Sequence, residues 1–231
     1  MIFGGFQKLT LLDFPGKVAC TLFTVGCNYA CPFCHNSFLV RENGHQNIDE
    51  DEVLSYLKKR QGILEGVCIS GGEPLLHSDV ESFIVKVREL GYTVKLDTNG
   101  SFPKRLKDLV AKGLVDYVAM DVKNCLEKYP QTSGIDNVDV VSVKESIEFL
   151  LKDNVDYEFR TTVANGLHTV ADIEILSEEI KGAKRYYIQN FVDSGNVLKD
   201  GLFPVDEKTL LKMKEVSKRN VGNTYIRGTD I

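Results

Sequence analysis

No window of this sequence approaches the ~20 apolar residues that a membrane-spanning helix needs. The opening residues, Met1-Ile-Phe-Gly-Gly-Phe6, lack the charged start and long apolar stretch of an export signal. No basic run offsets a net charge of −5, so the chain offers no electrostatic case for nucleic acid or an anionic membrane as partner. Linkers, internal repeats and low-complexity segments are also missing. Six cysteines without an export signal point to a reducing compartment, so the expected location is cytoplasmic. Disorder is not indicated either: with 43% hydrophobic and 26% charged residues, the 231-residue chain suits one folded domain spanning 1–231.

What is present is concentrated in Thr24-Val-Gly-Cys-Asn-Tyr-Ala-Cys-Pro-Phe-Cys-His-Asn36, just after the apolar run Val18 to Val25. Cys27, Cys31 and Cys34 stand at C-x3-C-x2-C, close enough for three thiolates to meet one metal centre. A four-iron cube normally takes four cysteines, so a local set of three leaves one iron open for chemistry. A zinc site would want a fourth ligand from a second cysteine or histidine pair, and none stands at that spacing. His35 directly follows Cys34, an awkward position for a ligand to the same tetrahedral ion. A disulfide framework fits neither the chain length nor the compartment.

Short apolar runs alternate with amphipathic stretches. Strands are expected at Lys17–Val25, Gly66–Ser70, Thr93–Asp97, Tyr117–Asp121, Tyr157–Val163 and Arg185–Phe191, with a weaker one near Asn223–Arg227. Helices are expected at Glu50–Gln61, Asp79–Leu90, Pro103–Lys112, Val143–Asp153, Val170–Ile180 and Asp206–Ser217. Ser78-Asp79, Ser101, and Ser142 with Glu145 three residues on read as their caps. The alternation implies an α/β fold with parallel strands, a partial (β/α)6 TIM-type barrel open on one side. The cluster loop would be 24–36, the core about 17–191, and the C-terminal tail 192–231.

In such barrels, active sites lie at the C-terminal strand ends. Polar motifs recur there: Gly71-Gly-Glu-Pro74, Asp97-Thr-Asn-Gly100, Asp121-Val-Lys123, Arg160-Thr-Thr162 and Gln189-Asn-Phe191. Each has a plainer reading. Gly71 to Pro74 could be an ordinary turn, Asp97 to Gly100 a helix-capping turn, and Asp121 with Lys123 a surface ion pair. Cys20 and Cys68 are expected to pack inside their strands, while Cys125 could be partly exposed. His35, His77 and His168 are expected to be structural or capping residues.

The cysteine triad together with Gly71-Gly72-Glu73 resembles the radical S-adenosylmethionine (SAM) superfamily. Asp97-Thr-Asn-Gly100, Asp121-Val-Lys123, Cys34-His-Asn36, Tyr157-Glu-Phe-Arg-Thr-Thr162 and Thr10-Leu-Leu-Asp-Phe-Pro-Gly-Lys17 narrow the resemblance to the activating enzymes of glycyl radical enzymes. It spans about Phe6 to Phe191. The resemblance implies the partial barrel, a [4Fe-4S] cluster with one open iron on Cys27, Cys31 and Cys34, and SAM bound at that iron. One electron cleaves SAM to a 5′-deoxyadenosyl radical, which takes a hydrogen from a glycine of a partner glycyl radical enzyme. It also implies flavodoxin or ferredoxin as electron donor.

By the same resemblance, Gly71, Gly72 and Glu73, with Pro74, form the turn at the methionine amino group, and Phe33 contacts the adenine. Asp121 and Lys123 engage the ribose and methionine ends of SAM, Arg160 sits near the sulfonium or the incoming peptide, and Asn99 and Gln189 complete the rim. Asp97, Thr98 and Asp121 would also shape a monovalent-cation site beside the SAM carboxylate. The family often has a proline after the fifth strand, where this chain has Ala164-Asn-Gly166. The 33 residues between Cys34 and Cys68 contain no cysteine, which leaves no room there for the auxiliary clusters of longer relatives. The short forms remain, acting on anaerobic ribonucleoside-triphosphate reductase or on pyruvate formate-lyase. Asp13-Phe-Pro-Gly16 favours the reductase. A small-molecule radical SAM enzyme such as a deazaguanine synthase is the reading from another class, and a non-catalytic iron–sulfur or zinc sensor is a third.

Overall fold

The computed structural model describes residues 1–40, 46–193 and 195–228, so parts of the expected 192–231 tail lie outside the described residues. By contacts the chain divides into two compact units, Met1–Asn28 with Phe38–Thr98 and Phe102–Ala119, and Tyr29–Ser37 with Asn99–Ser101 and Met120–Ile231.

The first unit is built on strands β1 (Ile2–Thr10), β2 (Ala19–Thr24), β3 (Ile48–Asp49), β4 (Gly66–Gly71) and β5 (Thr93–Thr98), in the order β3-β1-β2-β4-β5. Helices α2 (Glu50–Lys59), α3 (Val80–Glu89) and α4 (Pro103–Ala111) follow, after a short α1 (Ser37–Val40). β2, β4 and β5 pair in parallel, with Ala19 opposite Gly66 and Val67 opposite Val94. Val67, Cys68 and Ile69 are fully buried in succession, as expected of a parallel strand covered on both faces. β1 was not legible as a strand. It pairs antiparallel with β2 and carries two glycines, and Gly5 lets the ring of Phe23 lie where a side chain would crowd it.

Strand β6 (Tyr117–Asp121) gives its first residues to this unit and Met120 and Asp121 to the second. The second unit continues with α5 (Tyr129–Ser133), α6 (Val140–Leu150), β7 (Asp156–Val163), α7 (Val170–Glu179), β8 (Tyr186–Asn190), α8 (Glu207–Lys218) and β9 (Thr224–Arg227). β7, β8 and β9 are parallel neighbours. Strand–helix pairs therefore run β2–α2, β4–α3, β5–α4, β6–α6, β7–α7 and β8–α8, the repeat expected of (β/α)6.

The helix starts differ from those read off the sequence. α6 begins three residues before the expected Val143, because the Asp139 carboxylate accepts from Ser142 N at 3.1 Å. Ser142 is thus the capped residue and not the cap. Asp79 and Phe102, at the starts of α3 and α4, make no side-chain cap hydrogen bond. The reciprocal capping box lies on α7 instead, between Thr169 and Asp172. Among the described residues no helix is long and apolar enough to cross a membrane.

Candidate functional site

In the first unit, the cluster loop leaves β2 and meets the Gly71–Pro74 turn that ends β4. Gly72 N donates to Thr24 O at 3.0 Å and Glu73 N to Gly26 O at 2.9 Å, so the residue before Cys27 is fastened to the turn. Both glycines are obligatory here for packing. A Cβ on Gly72 would stand 1.8 Å from Gly26 O, and one on Gly71, whose φ is +116°, would stand 2.3 Å from Thr24 N. Glu73 is fully buried; its Oε1 accepts from Leu75 N at 3.0 Å and from Thr98 Oγ1 at 2.9 Å. Pro74 opens the 3₁₀ turn that Glu73 caps. His77 Nε2 lies 2.8 Å from Val25 O, and Arg105 clasps the carbonyls of Leu75 and His77. His77 is therefore a structural tie, as the sequence suggested.

Asp97 lies in the same unit, on β5. Its Oδ2 accepts from Ser70 Oγ at 3.0 Å, and its Oδ1 takes the ammonium of buried Lys95. Lys95 was not singled out from the sequence. Its signal is position alone: two residues before Asp97 on a strand, hence on the same face.

In the second unit, the Asp121 carboxylate holds two cations, Arg160 through Nε at 2.9 Å and Lys123 through Nζ at 3.0 Å. Burial opposes ionisation of Asp121, but the Arg160 and Lys123 charges prevail and hold its carboxyl below the usual carboxylate range. For Lys123, burial likewise works against the charge, and Asp121 and Cys31 more than compensate, so its pKa is raised. Lys123 N donates to the Tyr129 hydroxyl at 3.1 Å, and Lys123 O lies 2.8 Å from His168 Nε2. Because His168 Nδ1 accepts from Ala164 N at 3.2 Å, Nε2 carries the proton and donates to that carbonyl. The His168 ring meets Phe33 edge-on at 5.7 Å. Asp121, Lys123, His168 and Phe33 thus form one connected group.

Cys31 and Cys34 belong to this group's surroundings. Burial pushes the Cys31 thiol up to about 11, against a downward pull from Lys123, and Cys34 is raised by burial too. The peptide around them is pinned: Ala30 N donates to Ser133 O at 2.8 Å, and Lys199 N donates to Pro32 O at 3.1 Å. Ser37 Oγ donates to Asn196 O. The segment after β8 therefore crosses the cluster loop, which no sequence motif announced. His35 packs beside Phe191 at 5.7 Å.

Asn99 Oδ1 accepts from Ser101 N at 3.0 Å, shaping its own turn. Gln189 stands on β8 in register with Thr162 and Arg227. Arg160 reaches Asp121, as above. Cys20, Cys68 and Cys125 are all buried, so the expectation of partial exposure for Cys125 does not hold. Among the described residues, no three His, Cys, Asp or Glu side chains are grouped to hold a single metal ion. Three thiols of soft donor chemistry, two of them held near a lysine that favours their ionised form, nonetheless suit an iron–sulfur cluster, whose cube spreads its ligands more widely than one ion does.

Comparison with known proteins bears on this arrangement. The radical SAM superfamily matches residues 21–193. A protein of Methanocaldococcus jannaschii named for activation of glycyl-radical enzymes is 31% identical, over 96% of this chain and 94% of its own length. A 7-carboxy-7-deazaguanine synthase of Thermoplasma acidophilum is 28% identical over 58% of this chain and 60% of its own. Among solved structures, Streptococcus suis SuiB bound to its precursor peptide SuiA superposes with a TM-score of 0.70 at 15% identity, over 91% of this chain and 48% of that one. The α/β fold class expected from the sequence, the partial (β/α)6 barrel, is borne out.

Proposed function

Because this chain belongs to the radical SAM superfamily, we propose that it activates a glycyl radical enzyme, with anaerobic ribonucleoside-triphosphate reductase as the first candidate partner. The observation that carries this reading is the match, along nearly the whole of both chains, to a relative named for that activity. The Asp13-Phe-Pro-Gly16 stretch supports the reductase. Deazaguanine synthases match over smaller shares of the chain, 58% to 74%, at 26–30% identity.

In this reading Cys27, Cys31 and Cys34 hold the [4Fe-4S] cluster, which when bound supplies the electron that splits SAM into methionine and a carbon radical. The protein's own part is orientation and exclusion of water. Gly71 and Gly72 let the turn close on the root of the cluster loop, with backbone groups presented where side chains would intrude. Lys123 and Arg160 offer positive charge to a carboxylate, with Asp121 fixing both, one on each of its oxygens. Phe33, set by His168, gives an apolar edge for the adenine. Hydrogen transfer from a glycine Cα needs no acid or base, and the neutral, doubly hydrogen-bonded His168 acts as a positioning residue.

The test is anaerobic reconstitution with iron and sulfide, followed by reduction with SAM and either the reductase or pyruvate formate-lyase, read by electron paramagnetic resonance. A glycyl doublet with the reductase supports the full proposal, and a doublet with the lyase alone moves the partner. Turnover of SAM with a deazaguanine precursor and no doublet would replace the proposal with the small-molecule reading.

A further inference from the structure

The donors expected to shape a monovalent-cation site are already engaged by the protein's own groups. Asp97 Oδ1 receives the Lys95 ammonium, and Oδ2 receives Ser70 Oγ at 3.0 Å. Cys68 Sγ lies 3.7 Å from Asp97 Oδ1 and 3.8 Å from Lys95 Nζ, closing a compact group on β4 and β5. Thr98 directs its hydroxyl to Glu73. In the other unit, Asp121 carries Arg160 and Lys123. Lys95 is 1% exposed, and a lysine buried so deeply is retained only with a partner that offsets its lost hydration.

We propose that the ε-ammonium of Lys95 takes the place of a monovalent cation at Asp97, so that the protein needs neither sodium nor potassium there. The purpose of the site rests on the SAM reading above; its occupancy does not. A free cation on Asp97 would sit within a few ångström of a fixed positive charge, which weakens its binding on the order of a thousandfold at a protein-like effective dielectric. A tethered ammonium also stays in place at any salt concentration.

The experiment is thermal melting of the full chain, without SAM, in choline, sodium and potassium chloride at equal ionic strength. Wild type should melt at the same temperature in all three. Lys95→Met leaves Asp97 without its ammonium. Its midpoint should fall in choline and rise saturably with sodium or potassium, by about 3–6 °C for each tenfold increase above the dissociation constant. The double variant Lys95→Met/Asp97→Asn should fold and ignore the cation. Should Lys95→Met fail to fold in choline, recovery in sodium or potassium supports the proposal, and failure in every salt while the double variant folds contradicts it. Saturable stabilisation of wild type over choline, or a folded Lys95→Met with no added response, overturns it. Absence of SAM binding would instead count against the proposed function and leave these melts standing.

Discussion

Thr98 Oγ1 donates a 2.9 Å hydrogen bond to Glu73 Oε1, joining the end of β5 to the turn after β4 between two buried side chains. Thr98→Val keeps the shape and removes the donor from a buried carboxylate. It should cost about 1–3 kcal/mol, and Thr98→Ser should recover most of that. Denaturant melts of the two variants check this; equal stability of Thr98→Val and wild type would contradict it.

Gly72→Ala should be among the most damaging glycine substitutions, because its Cβ meets backbone at 1.8 Å and Gly26 O cannot swing aside as a side chain would. The turn and the root of the cluster loop must separate, so iron incorporation measured by absorbance should fall with stability. Gly222→Ala meets nothing within 4 Å and should stay within about 0.5 kcal/mol of wild type.

Burial lowers the pKa of His168 below 6.5. A depressed folded value means that its contribution is complete above pH 6.5 and is lost as pH falls through the folded pKa. His35 shifts the same way, also through burial. His168→Gln, which keeps an acceptor and a donor, should therefore flatten part of the stability decline between neutral pH and pH 5, a window set by the ordinary histidine pKa of about 6.5. Melting temperatures across that range would show an unchanged slope if His168 did not contribute.

Arg227 holds buried Glu158 with two parallel bonds, of 2.8 and 2.9 Å, and its guanidinium lies 3.5 Å from the centre of the Tyr187 ring. The pair fastens β9 to β7 across β8. Arg227→Met should destabilise by about 3 kcal/mol because it takes both of these charge-assisted bonds from a buried carboxylate, while Glu158→Leu added to it should restore much of the loss. A double-mutant cycle with no coupling would contradict this.

The parallel strands were legible because runs such as Val67-Cys-Ile and Tyr117-Val-Ala-Met are apolar without interruption, which only strands covered on both faces need to be. β1 was hidden by Gly4 and Gly5, which break the alternation, Gly5 beside the Phe23 ring. The start of α6 was misread because Ser142 fits a capping template that Asp139, three residues earlier, satisfies in fact. At the site, Gly71, Gly72 and the Asp121–Lys123 pair were found by motif. The occupancy of Asp97 by Lys95 needed the strand register, and the crossing of the cluster loop by residues 196–199 is a long-range contact with no local signal.

The proposed hydrogen abstraction from a glycine Cα can be followed by labelling that hydrogen. The partner enzyme is prepared with α-deuterated glycine, activated with reduced protein and SAM, and the 5′-deoxyadenosine is analysed by mass spectrometry. Deuterium should appear in the product in step with the glycyl doublet and should be lost with Cys31→Ala. Unlabelled 5′-deoxyadenosine from wild type, formed equally without the partner, would contradict it.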